Sequence, residues 1–294
     1  MQVTQLGPGF FAAVSGVSLA EIAEHDDAYR AVRSAFEEHS VLLLRNQSVT
    51  DEVQAACSRR FGPLEIATAA SIGEGSPYTI LTNIDPASGA LVPEDHKEAL
   101  RARANQLWHT DSSFKAPPAL ASVLSARVIP SCGGETEFAS TRLAWARLPA
   151  SLRTQLENTY VWHDYAHSRG KIAHELASKR EKAALPPVCW RVRWRNPVNG
   201  CGALYIASHA YAIEGMKDEA AQALLEELTA YATAPGHTYQ HTWRAGDVIM
   251  WDNRAVLHRG RPWPADQARH MVRTTISATD VDGLAQMWPV RAAA

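Results

Sequence analysis

ALASVLSARVI, residues 119–129, marks the point where the chain changes character. It is a short apolar run closed by the turn signal PSCGGE, and such a run reads as a buried strand. The same pattern recurs downstream: TEFAS (136–140), NTYVWHDY (158–165), VCWRVRW (188–194), GALYIAS (202–208), HTYQHTW (237–243), DVIMWDN (247–253) and MVRTTIS (271–277). NPVNGCG and RAGD punctuate them. Many short strands with turns between them predict a mainly β sandwich or barrel rather than a parallel α/β sheet, and a jelly roll with flanking and inserted helices fits best. The insertions are expected near Leu143–Glu157 and at MKDEAAQALLEELTAYA (216–232).

Upstream of Ala119 helix and strand alternate. Asp27 to Glu38 has a helical pattern, SVLLLR (40–45) reads as a buried strand, and TDEVQAACSRRFG (50–62) reads as a helix capped by Thr50 and ended by Gly62. No repeat or linker divides the 294 residues, so one domain over 1–294 is expected. A hydrophobic content of 46% supports a large core.

A formal charge of −2 offers no general attraction to nucleic acid or anionic lipid. No stretch approaches the roughly 18 apolar residues of a membrane span, and MQVTQLGPGFF lacks the build of a signal peptide, so a cytoplasmic protein is expected. Cys57, Cys132, Cys189 and Cys201 lack CxxC spacing and read as reduced packing residues.

Two segments carry candidate chemistry. WHTDSSF (108–114) sets His109 and Asp111 two apart, which on a strand puts both on one face with Thr110 turned away. WDNRAVLHRG (251–260) brings His258. Two histidines and a carboxylate on one face of an octahedron leave three positions open, the arrangement of Fe(II) enzymes that bind a cosubstrate and O2 together. Either segment alone is weak, since isolated histidines and HxD pairs are common. Beyond His258, ARHMVRTTIS supplies Arg269 and Arg273, read as lying four apart on one strand face, and GGETEF supplies Thr136. A guanidinium and a hydroxyl would together hold a carboxylate reaching away from the metal.

With these residues in place, the sequence resembles the Fe(II)- and 2-oxoglutarate-dependent dioxygenases of the taurine dioxygenase and 2,4-dichlorophenoxyacetate dioxygenase (TauD/TfdA) group. SVLLLRNQ, RRFGPLE, ANQLWHTDSSF, GGETEF, IEGM and GDVIMWDNRAVLHRG all look like its blocks, and the phenoxyacetate branch is the most similar. The resemblance implies that His109, Asp111 and His258 hold Fe(II), and that Thr136 and Arg269 hold the distal carboxylate of 2-oxoglutarate. It further implies that Arg273, Asn105 and His209 contact the substrate. Ascorbate is an expected stimulant, O2 the co-reactant, and a homodimer or larger oligomer the expected assembly. Halogenating relatives lack the carboxylate, so Asp111 implies hydroxylation.

The substrate implied is a small anion, first an aryloxyalkanoate, with an alkyl sulfate, a sulfonate or another carboxylate as alternatives. A cupin-like protein that binds a metal or ligand without catalysis is the remaining class. In IATAASIGEGSPY (66–78) the chain carries Ala and Ser where the group has a Lys or His contact. That contact is expected either from HKEALRAR (96–103) or to be dispensed with in favour of Arg273. Phe114, Trp162, Tyr165 and Tyr211 are candidate aromatic lining that sequence alone does not place.

Overall fold

The computed structural model describes residues 1–67, 72–93 and 96–289. Strands β1 (Gln2–Gln5) and β2 (Phe11–Ser15) form an antiparallel pair. Helix α1 (Leu19–Glu24) follows, its start fixed by a reciprocal Ser18–Glu21 capping box. Helix α2 (Asp26–His39) ends where Ser40 turns left-handed at φ 66°, and the chain enters β3 (Val41–Leu44). Helix α3 (Asp51–Arg59) has the expected cap: Thr50 accepts from the Val53 amide.

Strand β4 (Thr79–Thr82) and helix α4 (Lys97–Ala104) precede β5 (Ala119–Val128), which is formed by the apolar run ALASVLSARV. After β6 (Thr136–Ser140), the expected helix at 143–157 is two helices, α5 (Thr141–Arg147) and α6 (Ala150–Leu156). Pro149 separates them because it forces the preceding Leu148 out of helical geometry, to ψ 144°.

Strand β7 (Tyr160–His163), helix α7 (Tyr165–Gly170) and helix α8 (Lys179–Ala184) come next. VCWRVRW is divided into β8 (Val188–Arg191) and β9 (Arg193–Arg195), followed by β10 (Gly202–Leu204) and β11 (Ala210–Ile213). Helix α9 (Asp218–Ala232) fills the second expected insertion. The chain closes with β12 (Thr238–His241), β13 (Val248–Asp252), β14 (Val256–Gly260) and β15 (His270–Ser277).

The structure is mainly β, with helices packed around the sheets. One sheet runs β1-β2-β3-β13-β5-β15-β4 and another β12-β6-β14. In the larger sheet successive residues serve two cores. Leu42, Leu44, Val248 and Met250 face the helical side with Phe36 and Trp190, whereas Leu43, Ile249, Trp251 and Leu124 face Phe138 and Val256 of the smaller sheet. Both faces are covered, which is why β3 and β13 read as unbroken apolar runs rather than alternating ones. Burying each such side chain contributes about 1.5–3 kcal/mol.

All four thiols are free. Cys57 and Cys189 are buried as expected, but Cys132 and Cys201 are exposed, because both fall in the turns PSCGGE and NPVNGCG rather than on a packed face. No helix among the described residues is long and apolar enough to cross a membrane.

Candidate metal centre and its anion pockets

His109 and His258 exchange both backbone hydrogen bonds, His109 N to His258 O at 3.0 Å and His258 N to His109 O at 2.8 Å. This antiparallel pair sets the two imidazoles side by side, with centroids 4.2 Å apart. The HxD segment differs from the expected strand. His109 forms only this isolated bridge, the chain then enters a turn, and Ser112 is left-handed at φ 52°. Asp111 reaches the histidines through that turn. Its Oδ1 lies 3.8 Å from His109 Nε2 and its Oδ2 3.7 Å from His258 Nε2. Thr110 does turn away, and its hydroxyl donates to the Asn253 carbonyl at 2.6 Å.

The donor set fits a divalent metal. One ligand atom from each of the three residues lies within 4.8 Å of the others, and all three residues are buried. Bonds of about 2.1 Å at right angles put neighbouring donors about 3 Å apart, so small side-chain shifts close the set. His109 Nδ1 donates to the Leu107 carbonyl at 2.7 Å, which leaves Nε2 with its lone pair toward the cluster. Burial holds both His109 and His258 below the usual imidazole range, so both are neutral and ready to ligate at neutral pH.

Burial alone would raise the Asp111 carboxyl. The Arg273 guanidinium foremost, with the two neighbouring imidazoles and a hydrogen bond from Ser122, outweighs it, so Asp111 sits far below the ordinary carboxylate range. Asn253, immediately after β13, organises this carboxylate. Its Oδ1 accepts from the Asp111 amide (3.0 Å) and from Trp251 Nε1 (3.0 Å). Its Nδ2 donates to Ser122 Oγ (3.0 Å), which in turn donates to Asp111 Oδ2 (2.7 Å).

The cluster opens into a cavity of about 480 Å³, within the range of small-molecule sites. Arg269 and Thr136 line it together. Arg269 precedes β15 instead of lying on it, and the register with β5 shifts between His270 and Met271. Arg269 and Arg273 therefore reach one cavity across a bulge, not from one regular strand face.

Arg269 is 7% exposed and has no carboxylate partner among the described residues. Its Nε lacks any hydrogen-bond partner, and burial pushes its guanidinium down to about 10. Its other contacts are a 3.4 Å bond to the Gly134 carbonyl and the Trp263 ring, 4.9 Å away. Gly134 (φ 71°) is required here: a Cβ would stand 3.2 Å from Arg269 Nε. Thr136 Oγ1 accepts from Trp243 Nε1 at 3.0 Å, which leaves its own hydrogen to donate. A buried guanidinium without a carboxylate partner and a hydroxyl donor, lining one cavity, can together hold an anion.

Arg273 lines the cavity from β15, and its Nη1 donates to Asp111 Oδ1 at 2.5 Å while its Nε has no partner. Asn105 lies on the cavity wall in the turn after α4, where its carbonyl accepts from the Gly260 amide at 2.8 Å. His209 stands behind that wall. It is buried, edge-on to His109 with centroids 6.2 Å apart, 4.7 Å from the Phe114 ring, and 3.3 Å through Nδ1 from Ser113 Oγ.

Phe114 and Tyr165 form an aromatic wall, with ring centroids 5.0 Å apart. Trp162 and Tyr211 are not among the described residues lining the cavity. Part of IATAASIGEGSPY, residues 68–71, lies outside the described residues. From HKEALRAR, Arg101 and Arg103 do reach the cavity, but Arg101 is held by Glu181 at 2.9 Å.

Asn253, Ser122, Arg169 and Trp263 were missed by sequence reasoning. WDN and PWP beside the second histidine were the available signals for Asn253 and Trp263. Ser122 is hidden inside an apolar strand and Arg169 inside a short helix.

Comparison with known proteins completes the picture. A sequence profile described as "Taurine catabolism dioxygenase TauD, TfdA family" matches residues 2–275. The alpha-ketoglutarate-dependent 2,4-dichlorophenoxyacetate dioxygenase of Cupriavidus pinatubonensis is 37% identical over 274 residues, 92% of this chain and 95% of the relative. The (S)-phenoxypropionate/alpha-ketoglutarate-dioxygenase of Sphingobium herbicidovorans is 33% identical, covering 94% of each chain. Among solved structures, AAD-2 in complex with Mn(II) and N-oxalylglycine superposes with a TM-score of 0.87 at 34% identity, covering 95% of this chain and 97% of its own. By profile, identity and coverage alike, this chain belongs to the TauD, TfdA family of dioxygenases.

Proposed function

We propose that this protein is an Fe(II)- and 2-oxoglutarate-dependent dioxygenase that hydroxylates an aryloxyalkanoate, in a single domain over residues 1–294 with a double-stranded β-helix (jelly roll) core. The observation that carries the reading is the placement of a His-Asp-His cluster beside a buried, carboxylate-free Arg269 and the Thr136 hydroxyl. A binding protein without catalysis gains nothing from an anion pocket built next to three open metal positions. Fe(II) is the metal proposed, ascorbate the reductant that maintains it, and a homodimer the assembly.

In this reading His109, Asp111 and His258 hold the metal, and Asn253 and Ser122 fix the Asp111 carboxylate. Arg269 and Thr136 anchor the distal carboxylate of 2-oxoglutarate. Metal, cosubstrate and O2 together supply the oxidant, with succinate and CO2 as coproducts. Arg273 presents the unpartnered part of its fork to the substrate carboxylate, and Phe114 and Tyr165 pack against the aryl ring. Asn105 acts from the cavity wall, and His209 acts through Phe114. Hydroxylation of the carbon next to the ether oxygen yields a hemiacetal. Its collapse returns the ether oxygen as a phenol and the remainder as glyoxylate, or as a keto acid for longer chains.

The experiment is a succinate-release screen in air with Fe(II), ascorbate and 2-oxoglutarate. Candidates are phenoxyacetates, both enantiomers of phenoxypropanoates, alkyl sulfates and sulfonates. Succinate and a free phenol are expected with an aryloxyalkanoate. Succinate with only sulfates or sulfonates would move the substrate class, and none with any candidate would overturn the reading.

A further inference from the structure

The cavity holds more positive charge than the reaction just proposed consumes. Lys115 is matched by Glu65 at 2.5 Å and Arg101 by Glu181 at 2.9 Å. Arg261, its side chain 44% exposed, lies 3.9 Å from Glu137. Arg169 is different. Among the described residues it forms no ion pair, and its Nε is buried without a hydrogen-bond partner.

Helix α7 explains how it comes to be there. Asp164 caps the helix by accepting from the Ala166 amide at 2.9 Å, and Tyr165 and Arg169, four residues apart, share the face that lines the cavity. The guanidinium carbon stands 4.5 Å from the Tyr165 ring centroid. Stacking on an aromatic face orients the guanidinium plane, and the unpartnered Nε lies on the edge that an in-plane acceptor would meet. Tyr165 is itself tied to Glu181 at 3.0 Å, so the platform is fixed.

With metal and cosubstrate bound as proposed above, the two metal charges, Asp111, the 2-oxoglutarate dianion and Arg269 sum to zero. Arg273 and Arg169 stand outside this sum, and both line the cavity. The geometry points to Arg169 as a specificity-determining residue that recognises the substrate's anionic group together with Arg273. This rests on the proposed reaction for its charge sum, but not for its test.

The test is a calorimetric titration of protein loaded with Mn(II) and N-oxalylglycine, which does not turn over. The probes are 4-chlorophenoxyacetate, its uncharged counterpart 2-(4-chlorophenoxy)ethanol, and an alkyl sulfate. Arg169→Gln is expected to weaken the binding of the anions about tenfold or more and Arg169→Lys to restore part of it. Binding of the alcohol and of N-oxalylglycine should stay within about twofold of wild type. The inference is overturned if the anions bind Arg169→Gln as they bind wild type, if acid and alcohol weaken equally, or if no anion binds wild type. Equal weakening would assign Arg169 a packing role on Tyr165. Anion binding that depends on Arg169, with no succinate formed in air with Fe(II), would sink the proposed reaction and leave the Arg169 assignment standing.

Discussion

Arg273 Nη1 donates to Asp111 Oδ1 across 2.5 Å, so the side chain proposed to meet the substrate is bound to a side chain proposed to meet the metal. Both are largely buried, with side chains 16% and 5% exposed. A metal must share this carboxylate with a guanidinium, and the two cations oppose each other. Arg273→Ala is therefore expected to tighten Mn(II) binding about tenfold, since a charge-assisted bond of this kind is worth about 1.5–3 kcal/mol. The metal-free variant should lose about 3 kcal/mol of stability, because a buried carboxylate is left without its partner. Metal titration and urea unfolding check both. An unchanged metal affinity would mean that Arg273 leaves Asp111 without cost.

Arg269 and Arg273 should divide the anions between them. Arg269→Ala is expected to raise the KM for 2-oxoglutarate about a hundredfold, because it removes the buried guanidinium proposed to hold the distal carboxylate. Thr136→Ala, losing a single neutral donor, should raise it less than tenfold. Arg273→Ala should leave that KM within about threefold while succinate formation becomes uncoupled from substrate hydroxylation. Steady-state kinetics with succinate and phenol both quantified separates the cases, and equal effects of the two arginine changes on the cosubstrate would refute the division.

The strands from Ala119 onward were legible because each is short, apolar and closed by Gly, Pro or Asn turns. β3 and β13 were legible as buried because both faces of their sheet are covered. His109, Asp111 and His258 were legible as a set, yet the local geometry that unites them was not. Period-two reasoning put His109 and Asp111 on a strand, whereas a backbone exchange with His258 and a left-handed Ser112 do the work. Such a bridge depends on a partner more than a hundred residues away and leaves no periodic trace. The same applies to Arg269, which reaches the cavity from before a bulge. Arg169 was unreadable for another reason. Its helix is only six residues long, and a charge at a helix end is ordinarily solvated.

Asn253 joins the Asp111 amide, Trp251 and Ser122 in one buried network, and the Ser122 hydroxyl bridges it to the Asp111 carboxylate. Asn253→Ala removes the acceptor for three buried donors, the Asp111 amide, Trp251 Nε1 and the Thr110 hydroxyl, and frees Ser122 to rotate. Metal affinity should fall about 10–100-fold, as for other residues that orient a ligand. Asp111→Ala should go further and abolish 2-oxoglutarate turnover, and chelation of the metal from wild type should do the same reversibly. Full activity in Asp111→Ala would remove that residue from the site.

His163 gives the fold an acid sensitivity that does not involve the metal ligands. It is completely buried, and its Nδ1 lies 3.1 Å from Ser113 Oγ. Burial pushes its imidazole down to about 3. The unfolded chain protonates this histidine near pH 6.5, the native protein only near pH 3. Between those values the unfolded state binds a proton that the native state does not, so stability is whole above about pH 6.5 and falls as pH drops, by about 1.4 kcal/mol per unit. His163→Phe removes the titrating group while filling a similar volume. From pH 7.5 to 5.0 wild type should lose about 2 kcal/mol more than the variant, read by urea unfolding of the metal-free proteins. Identical pH slopes would show that His163 is protonated, or that water reaches it, in the native state.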